Sequence, residues 1–214
     1  VYCNESGGDP AVIPTLKYED FLKYHKEYYH PSNSYIYMYG DMDVDERLKY
    51  LDEEYLSDFD AADVDIHADI PLQKAFDKPV YETKPYAITE DEPLEDNTYL
   101  SYNVVTGTSV DAKLYLAMQI LDYALVMTPG APLKQALIDA GISTDVYSSF
   151  ETSLYQPVYS IIAKNANEKD RDTFVKIIED VLSDLVKNGI NERTIAAGIN
   201  YYEFKYREAD YGPY

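Results

Sequence analysis

Three histidines and one cysteine are the side chains in this 214-residue sequence best suited to metal binding or nucleophilic catalysis. His25 and His30 lie five residues apart in HKEYYH, and on a helix that spacing turns them about 140° away from each other. They cannot bind one ion, and neither H-x-x-E-H nor H-E-x-x-H occurs. His67, between acidic neighbours, allows at most a weak surface site, and Cys3 has no identifiable histidine partner. We therefore expect no catalytic residue and no metal ligand in this sequence, and its substrate-binding residues stay unknown.

The composition is strongly acidic, with 39 Asp and Glu against 18 Lys and Arg and a formal net charge of −21. Nucleic acid is not expected as a partner, because phosphate binding needs clustered basic residues. No apolar run approaches the roughly 20 residues that span a bilayer, so no membrane association is expected. The single cysteine suits a reducing compartment, and no signal peptide is visible, which together predict a cytoplasmic protein. The acidic surface either maintains solubility or attracts cationic ligands.

Tyrosine is the second unusual feature, with 24 tyrosines and no tryptophan. Amphipathic tyrosines can fill half-buried faces of helices and strands. Alternatively, the phenol groups can form a wall that contacts a bound peptide. The sequence leaves both interpretations open.

The first 62 residues predict two helices separated by one strand. Apolar residues at helical spacing indicate a helix over 16–29, which Pro31 terminates. Residues 35–39 alternate as a strand with Ile36 and Met38 on one face and three tyrosines on the other. Asp43 and Glu46 form a capping box that begins the second helix.

The remaining residues predict a linker and a second domain. Residues 63–77 are acidic, bounded by prolines and without periodicity, which indicates an interdomain linker. Beyond them, Asn167 and Asn191 are predicted helix caps, and strand pairs alternate with helix pairs. This order predicts an α+β fold: a mixed, largely antiparallel sheet with helices packed on one face. The predicted strands are 80–88, 98–105, 144–152 and 158–164, and the predicted helices are 108–127, 132–141, 167–189 and one following 191.

Several short motifs in the first 41 residues resemble one peptidase family. They are SGGDP at 6–10, Ile13-Pro14, Tyr18-Glu19, YYHPSNS at 28–34 and Gly40-Asp41. Together they resemble the presequence-protease branch of the insulinase-type (pitrilysin-like) zinc metallopeptidases, and APLKQALIDAGI and INERTIAAGIN resemble its second domain. The resemblance implies the insulinase-type repeat as the fold. It makes 1–62 the C-terminal part of the catalytic first domain, 63–77 the linker and 78–214 most of a second, non-catalytic domain.

The resemblance also implies a function for a longer parent polypeptide. Such a parent is a zinc-dependent metalloendopeptidase that degrades unstructured peptides in a closed chamber. Its zinc is bound through an H-x-x-E-H motif upstream of this chain, and none is bound here. This part would form scaffold and chamber wall, inactive alone, with peptide substrates and the remaining domains of the parent as partners. The alternative is a catalytically inactive insulinase-like scaffold or peptide-binding subunit.

Overall fold

The computed structural model describes residues 7–62 and 71–208 and divides the chain into two compact units, Val1–Pro71 and Leu72–Tyr214. The boundary lies inside the predicted linker, although residues 63–70 are outside the described part. Assignment of the two units to a catalytic and a second domain stays a prediction.

The first unit contains two amphipathic helices, α1 (Tyr18–Tyr28) and α2 (Val44–Glu54). The Asp43 carboxylate accepts a hydrogen bond from the Glu46 backbone N–H at 3.1 Å, which satisfies one of the unpaired N–H groups of the first turn. The predicted cap of α2 is therefore observed. None of the side chains described in residues 7–62 is buried, so the apolar stripes of both helices remain accessible.

The predicted strand at 35–39 pairs with no other strand described in this unit. Ile36 and Met38 line a groove of about 550 Å³ together with Leu48 and Leu51 of α2. Tyr35 is fully exposed. The predicted alternation of faces is present, whereas the predicted sheet pairing is wrong for the described residues, because a ladder needs a second strand at about 4.8 Å.

The second unit is built on a three-stranded antiparallel sheet of β1 (Thr98–Val105), β2 (Asp145–Glu151) and β3 (Val158–Ala166). The strand order is β1-β3-β2. Ala163 at the centre lies opposite Leu100 on one side and Val146 on the other. The three predicted strands at 98–105, 144–152 and 158–164 are therefore confirmed within one or two residues.

Four α-helices and a π-helix accompany the sheet: α3 (Ala112–Asp122), the π-helix (Tyr123–Met127), α4 (Pro132–Asp139), α5 (Arg171–Asn188) and α6 (Glu192–Glu208). The helix predicted to begin at 108 begins later, because the Asp111 carboxylate accepts from the Leu114 N–H at 3.0 Å and so caps α3. Asn191 is the N-terminal cap predicted for the last helix, since its side chain accepts from the Arg193 N–H at 2.9 Å.

The hydrophobic core lies between one face of the sheet and the helices. Val146 and Ile161 from the strands are at most 2% exposed, as are Leu133 of α4 and Phe174 and Ile178 of α5. Alternate strand residues point into this layer, as the two-residue period of a strand requires. The fold is α+β with an antiparallel sheet and helices packed on one face, as predicted.

Residues 80–88 differ from their predicted strand conformation. They make no ladder with β1 and are not part of the sheet. Pro85 lacks an N–H group and Pro79 precedes the segment, and proline is tolerated only at sheet edges because it cannot donate to a ladder. The strand prediction is therefore wrong as regards sheet pairing.

Candidate functional site

The histidines predicted not to form a metal site are engaged in local contacts. His25 stacks on Tyr29 with ring centroids 4.8 Å apart. The Nδ1 atom of His30 accepts a hydrogen bond from the Ser32 N–H at 3.2 Å, and the ring meets Phe59 edge-on. Each ring therefore serves the local packing of α1 or of the turn that follows it.

The residues of this chain do not fit a zinc site within the described part. A zinc site needs three or four His, Cys, Asp or Glu side chains that converge on one point, and residues 7–62 and 71–208 contain no such group. Cys3 and His67 lie outside the described residues.

The sheet has one face that no described helix covers, and we call it the open face. Its residues alternate along each strand with the buried ones. They are Tyr99, Ser101, Asn103 and Val105 of β1, Tyr147, Ser149 and Glu151 of β2, and Val158, Ser160 and Ile162 of β3. The middle of the face is short and polar, with hydroxyl and amide groups, and Ile162 and Val158 lie on either side of Ser160 along the central strand.

A hydrogen-bond network joins the middle of the open face. The Asn103 Oδ1 atom accepts from the Ser101 hydroxyl at 2.9 Å and from the Ser160 hydroxyl at 2.7 Å. At one end the Lys164 ammonium lies 5.9 Å from the centre of the Tyr99 ring, within range of a cation–π interaction. The Asn103 side-chain N–H groups are donors that can reach a peptide carbonyl.

The groups on the open face are of the kind that bind a peptide. Hydroxyl and amide groups supply hydrogen bonds, and phenol rings supply contact area. A nucleophile would need an adjacent base, and the network contains none. Sequence reasoning missed this surface, although the alternating polar residues at 101, 103 and 149 were a usable signal.

A buried polar pair lies on the opposite face of the sheet. The Tyr159 hydroxyl donates to the Asp122 carboxylate at 2.9 Å, and the two residues are 7% and 8% exposed. Burial raises the pKa of Tyr159 above its ordinary value of 10.0, and the Asp122 charge raises it further, although a hydrogen bond with Ser148 acts in the opposite direction. The pKa of Tyr202 is raised to about 12, mainly by burial and secondly by the charge of Asp122.

This pair joins the sheet to the end of α3, where the π-helix begins. Asp122 is the last residue of α3, and Tyr159 lies on the central strand. It is enclosed by protein, so it fixes the helix on the sheet and does not meet a substrate. Tyrosine consequently plays two roles, because Tyr159 and Tyr202 are buried while Tyr99 and Tyr147 are more than a third exposed.

A family model described as the peptidase M16 inactive domain matches residues 15–202. The chain therefore belongs to the peptidase M16 family. Within that family it belongs to the presequence-protease branch, and the insulinase-type resemblance is confirmed.

Two curated relatives cover the whole chain. Protein HypA of Clostridium perfringens is 44% identical over 213 residues, and presequence protease 1, chloroplastic/mitochondrial, of Arabidopsis thaliana is 34% identical over 215 residues. The match includes 100% of this chain in both cases but only 22% and 20% of the relatives. The chain thus spans about a fifth of their length.

A solved structure supports the fold. An M16-like peptidase from Alicyclobacillus acidocaldarius superposes with a TM-score of 0.52 and 19% identity, over 96% of this chain and 47% of that one. None of the helices within the described ranges is both long and apolar enough to cross a bilayer. The cytoplasmic location predicted from the sequence stays a prediction. One relative, the presequence protease of Danio rerio, is named mitochondrial.

Proposed function

We propose that this chain is part of a zinc-dependent metalloendopeptidase that degrades unstructured peptides in a closed chamber, and that it supplies scaffold and chamber wall. Residues 1–62 would complete the catalytic domain, 63–77 would link the domains, and 78–214 would form most of the second domain. Support comes from the peptidase names of its relatives and from their greater length. The observation that carries the wall function is the open face, a sheet surface that no described helix covers and that combines hydroxyl, amide and phenol groups with the apolar Val105, Val158 and Ile162.

The open face is suited to peptides without a fixed sequence. Extended peptides expose carbonyl and N–H groups at regular intervals. The Asn103 amide N–H groups can donate to these carbonyls, and the Ser101 and Ser160 hydroxyl oxygens can accept from these N–H groups. Tyr147 presents a phenol ring that accommodates different side chains, whereas the Tyr99 ring already contacts Lys164 and Tyr86. Such contacts orient a substrate without selecting one sequence.

The test uses the full-length natural polypeptide that contains this chain. Asn103→Ala removes the centre of the network. It is expected to raise KM about fivefold, because one hydrogen bond contributes about 1 kcal/mol to substrate binding, and to leave kcat unchanged. Gln135→Ala is the matched control, because Gln135 is an exposed amide on α4 in the helix layer. An unchanged KM for Asn103→Ala would remove the open face from the proposal.

Zinc belongs to this proposal only through residues outside the chain. The described side chains form no metal cluster, so the ligands would come from the rest of the polypeptide. The full-length protein is expected to contain about one zinc and to lose peptidase activity with a chelator.

The second candidate is a catalytically inactive insulinase-like scaffold or peptide-binding subunit. The description of the matching domain as inactive favours it. The same full-length protein separates the two candidates, because the subunit would bind a fluorescent peptide without cleaving it at any zinc concentration. Reading the coding sequence upstream of Val1 for H-x-x-E-H is the faster version of this test.

The acidic charge favours one substrate class. With a net charge of −21, an enclosing wall would concentrate cationic peptides. The peptidase should then prefer a Lys-containing peptide over its Lys→Glu variant, and the preference should fall as salt shortens the screening length from about 10 Å at 0.1 M. Equal rates at low salt would assign the charge to solubility alone.

The cytoplasm is our proposed compartment, because one cysteine suits a reducing environment, and immunolocalisation would test it.

A further inference from the structure

The segment 72–97 enters the second unit without joining its sheet. All of its residues except Ile88 and Asn97 are exposed. Its contacts with the rest of the unit involve side chains. Gln156 and Asn167, both half-buried, reach it from either end of β3.

Gln156 binds the start of this segment by both ends of its amide group. Its Oε1 atom accepts from the Gln73 backbone N–H at 2.6 Å, and its Nε2 atom donates to the Gln73 carbonyl at 3.2 Å. An amide that bonds both the N–H and the C=O of one residue imitates a neighbouring strand. We call this interaction the first clip.

Asn167 forms a second clip at the other end, to a backbone N–H and a side-chain carboxylate. Its Oδ1 atom accepts from the Asp96 N–H at 3.0 Å, and its Nδ2 atom donates to the Asp96 carboxylate at 2.7 Å. The sequence predicts Asn167 as a helix cap, but its side chain makes no capping hydrogen bond. The residue occupies the capping position and uses its amide on the segment.

Between the clips, the segment has few attachments to the core but is joined to itself. Tyr81 lies under the Arg171 guanidinium at 5.5 Å, and Tyr86 meets Tyr99 edge-on at 5.6 Å. The Tyr86 hydroxyl also donates to the Asn97 side-chain oxygen at 2.8 Å, inside the segment. Pro85 has no N–H for a ladder with β1. The internal hydrogen bond joins the later half of the segment, 86–97, to itself, so release of the clips frees the segment without breaking core contacts.

We propose that residues 72–97 are a detachable strap, held on the sheet by the Gln156 and Asn167 clips and released without unfolding the core. Each released residue adds up to about 3.3 Å of reach to the connection between the two units. The strap therefore gives that connection two lengths, a short one when clipped and a long one when free. This inference goes beyond the proposed function and does not depend on catalysis.

Electron-paramagnetic-resonance distance measurements on the whole chain test the strap. Spin labels at Thr83→Cys and Ser183→Cys, two exposed sites in the strap and α5, are introduced with Cys3→Ser. One narrow distance distribution is expected with both clips intact. Loss of one clip, through Gln156→Ala or Asn167→Ala, should raise the displaced population about fivefold, and loss of both about 25-fold.

Two controls make each outcome decisive. Gln135→Ala, which removes an exposed amide remote from the strap, should leave the distribution unchanged. Labels at Ser183→Cys and Asn200→Cys, on α5 and α6, should keep one distance in every variant. The proposal is overturned if the double clip variant keeps the narrow strap distribution, or if the α5–α6 distance broadens with it, because the latter means global unfolding.

Discussion

Replacing Tyr159 by phenylalanine should destabilise the protein far more than the loss of one oxygen atom suggests. The hydroxyl donates to the Asp122 carboxylate at 2.9 Å in an environment where both residues are under a tenth exposed. Without that donor, a buried charge loses its hydrogen bond, at a cost of about 1.5–3 kcal/mol. We expect Tyr159→Phe to lower the free energy of unfolding by about 2 kcal/mol.

Urea unfolding followed by circular dichroism measures this change. With a slope of about 2 kcal/mol per molar urea, the midpoint should fall by about 1 M while the slope stays constant. Tyr206→Phe is the matched control, because its hydroxyl also donates, to Gln119 at 2.7 Å, but at a site 43% exposed. Water replaces that partner, and the expected loss is below about 0.5 kcal/mol.

A double-mutant cycle identifies the pair as the cause. Asp122→Leu alone leaves the phenol without its acceptor, whereas the double variant Asp122→Leu/Tyr159→Phe places apolar groups on both sides. The double variant should therefore lose about 1–2 kcal/mol less stability than the sum of the losses in the two single variants. Additive effects, or a Tyr159→Phe midpoint equal to that of Tyr206→Phe, would refute the reasoning.

The remaining predictions concern metal, the linker, backbone strain and pH. The purified chain should contain no stoichiometric zinc and show no chelator-sensitive peptidase activity, and elemental analysis finding about one tightly bound zinc per chain would contradict this. Limited proteolysis should cut first within 63–77 and leave a stable piece of about 14 to 16 kDa. A first cut inside α3 would mean that the predicted domain boundary is wrong. Gly107→Ala should lose about 0.5–1 kcal/mol more stability than Gly130→Ala in urea unfolding. Both glycines have positive φ, but only at Gly107 would a Cβ lie 2.7 Å from Leu114 Cδ2, so the Leu114 side chain must shift. The free energy of unfolding should fall as pH rises above about 10. In that range tyrosine ionises in the unfolded chain, whereas the raised pKa of Tyr202, about 12, keeps this tyrosine protonated in the folded protein. Equal urea midpoints at about pH 9 and about pH 11 would contradict this.

Local signals in the sequence predicted most of the fold. β1 has the predicted bounds, Thr98–Val105, because alternation over eight residues is a property of the strand itself. Asp43 and Asn191 cap their helices as predicted, since a cap depends on residues only two or three positions away. These features need no knowledge of distant partners.

The wrong predictions depended on partners remote in sequence. Residues 35–39 and 80–88 have strand-like patterns, but a ladder requires a neighbouring strand with donors in register. Asn167 was predicted to cap a helix, and its amide instead bonds Asp96, 71 residues away. The expected lack of catalytic residues followed from missing motifs, whereas the open face emerged only when the strand register showed which polar residues share a side.

The unpaired segment at 35–39 has a consequence for how the chain behaves in solution. Its sequence, YIYMY, is uncharged and rich in residues that favour strands, and no ladder bonds occupy its backbone among the described residues. Such a segment is a template for strand addition between molecules, which leads to aggregation. The net charge of −21 opposes close approach of two chains. Because salt screens that repulsion, the colloidal stability of the chain rests on low ionic strength as much as on its fold.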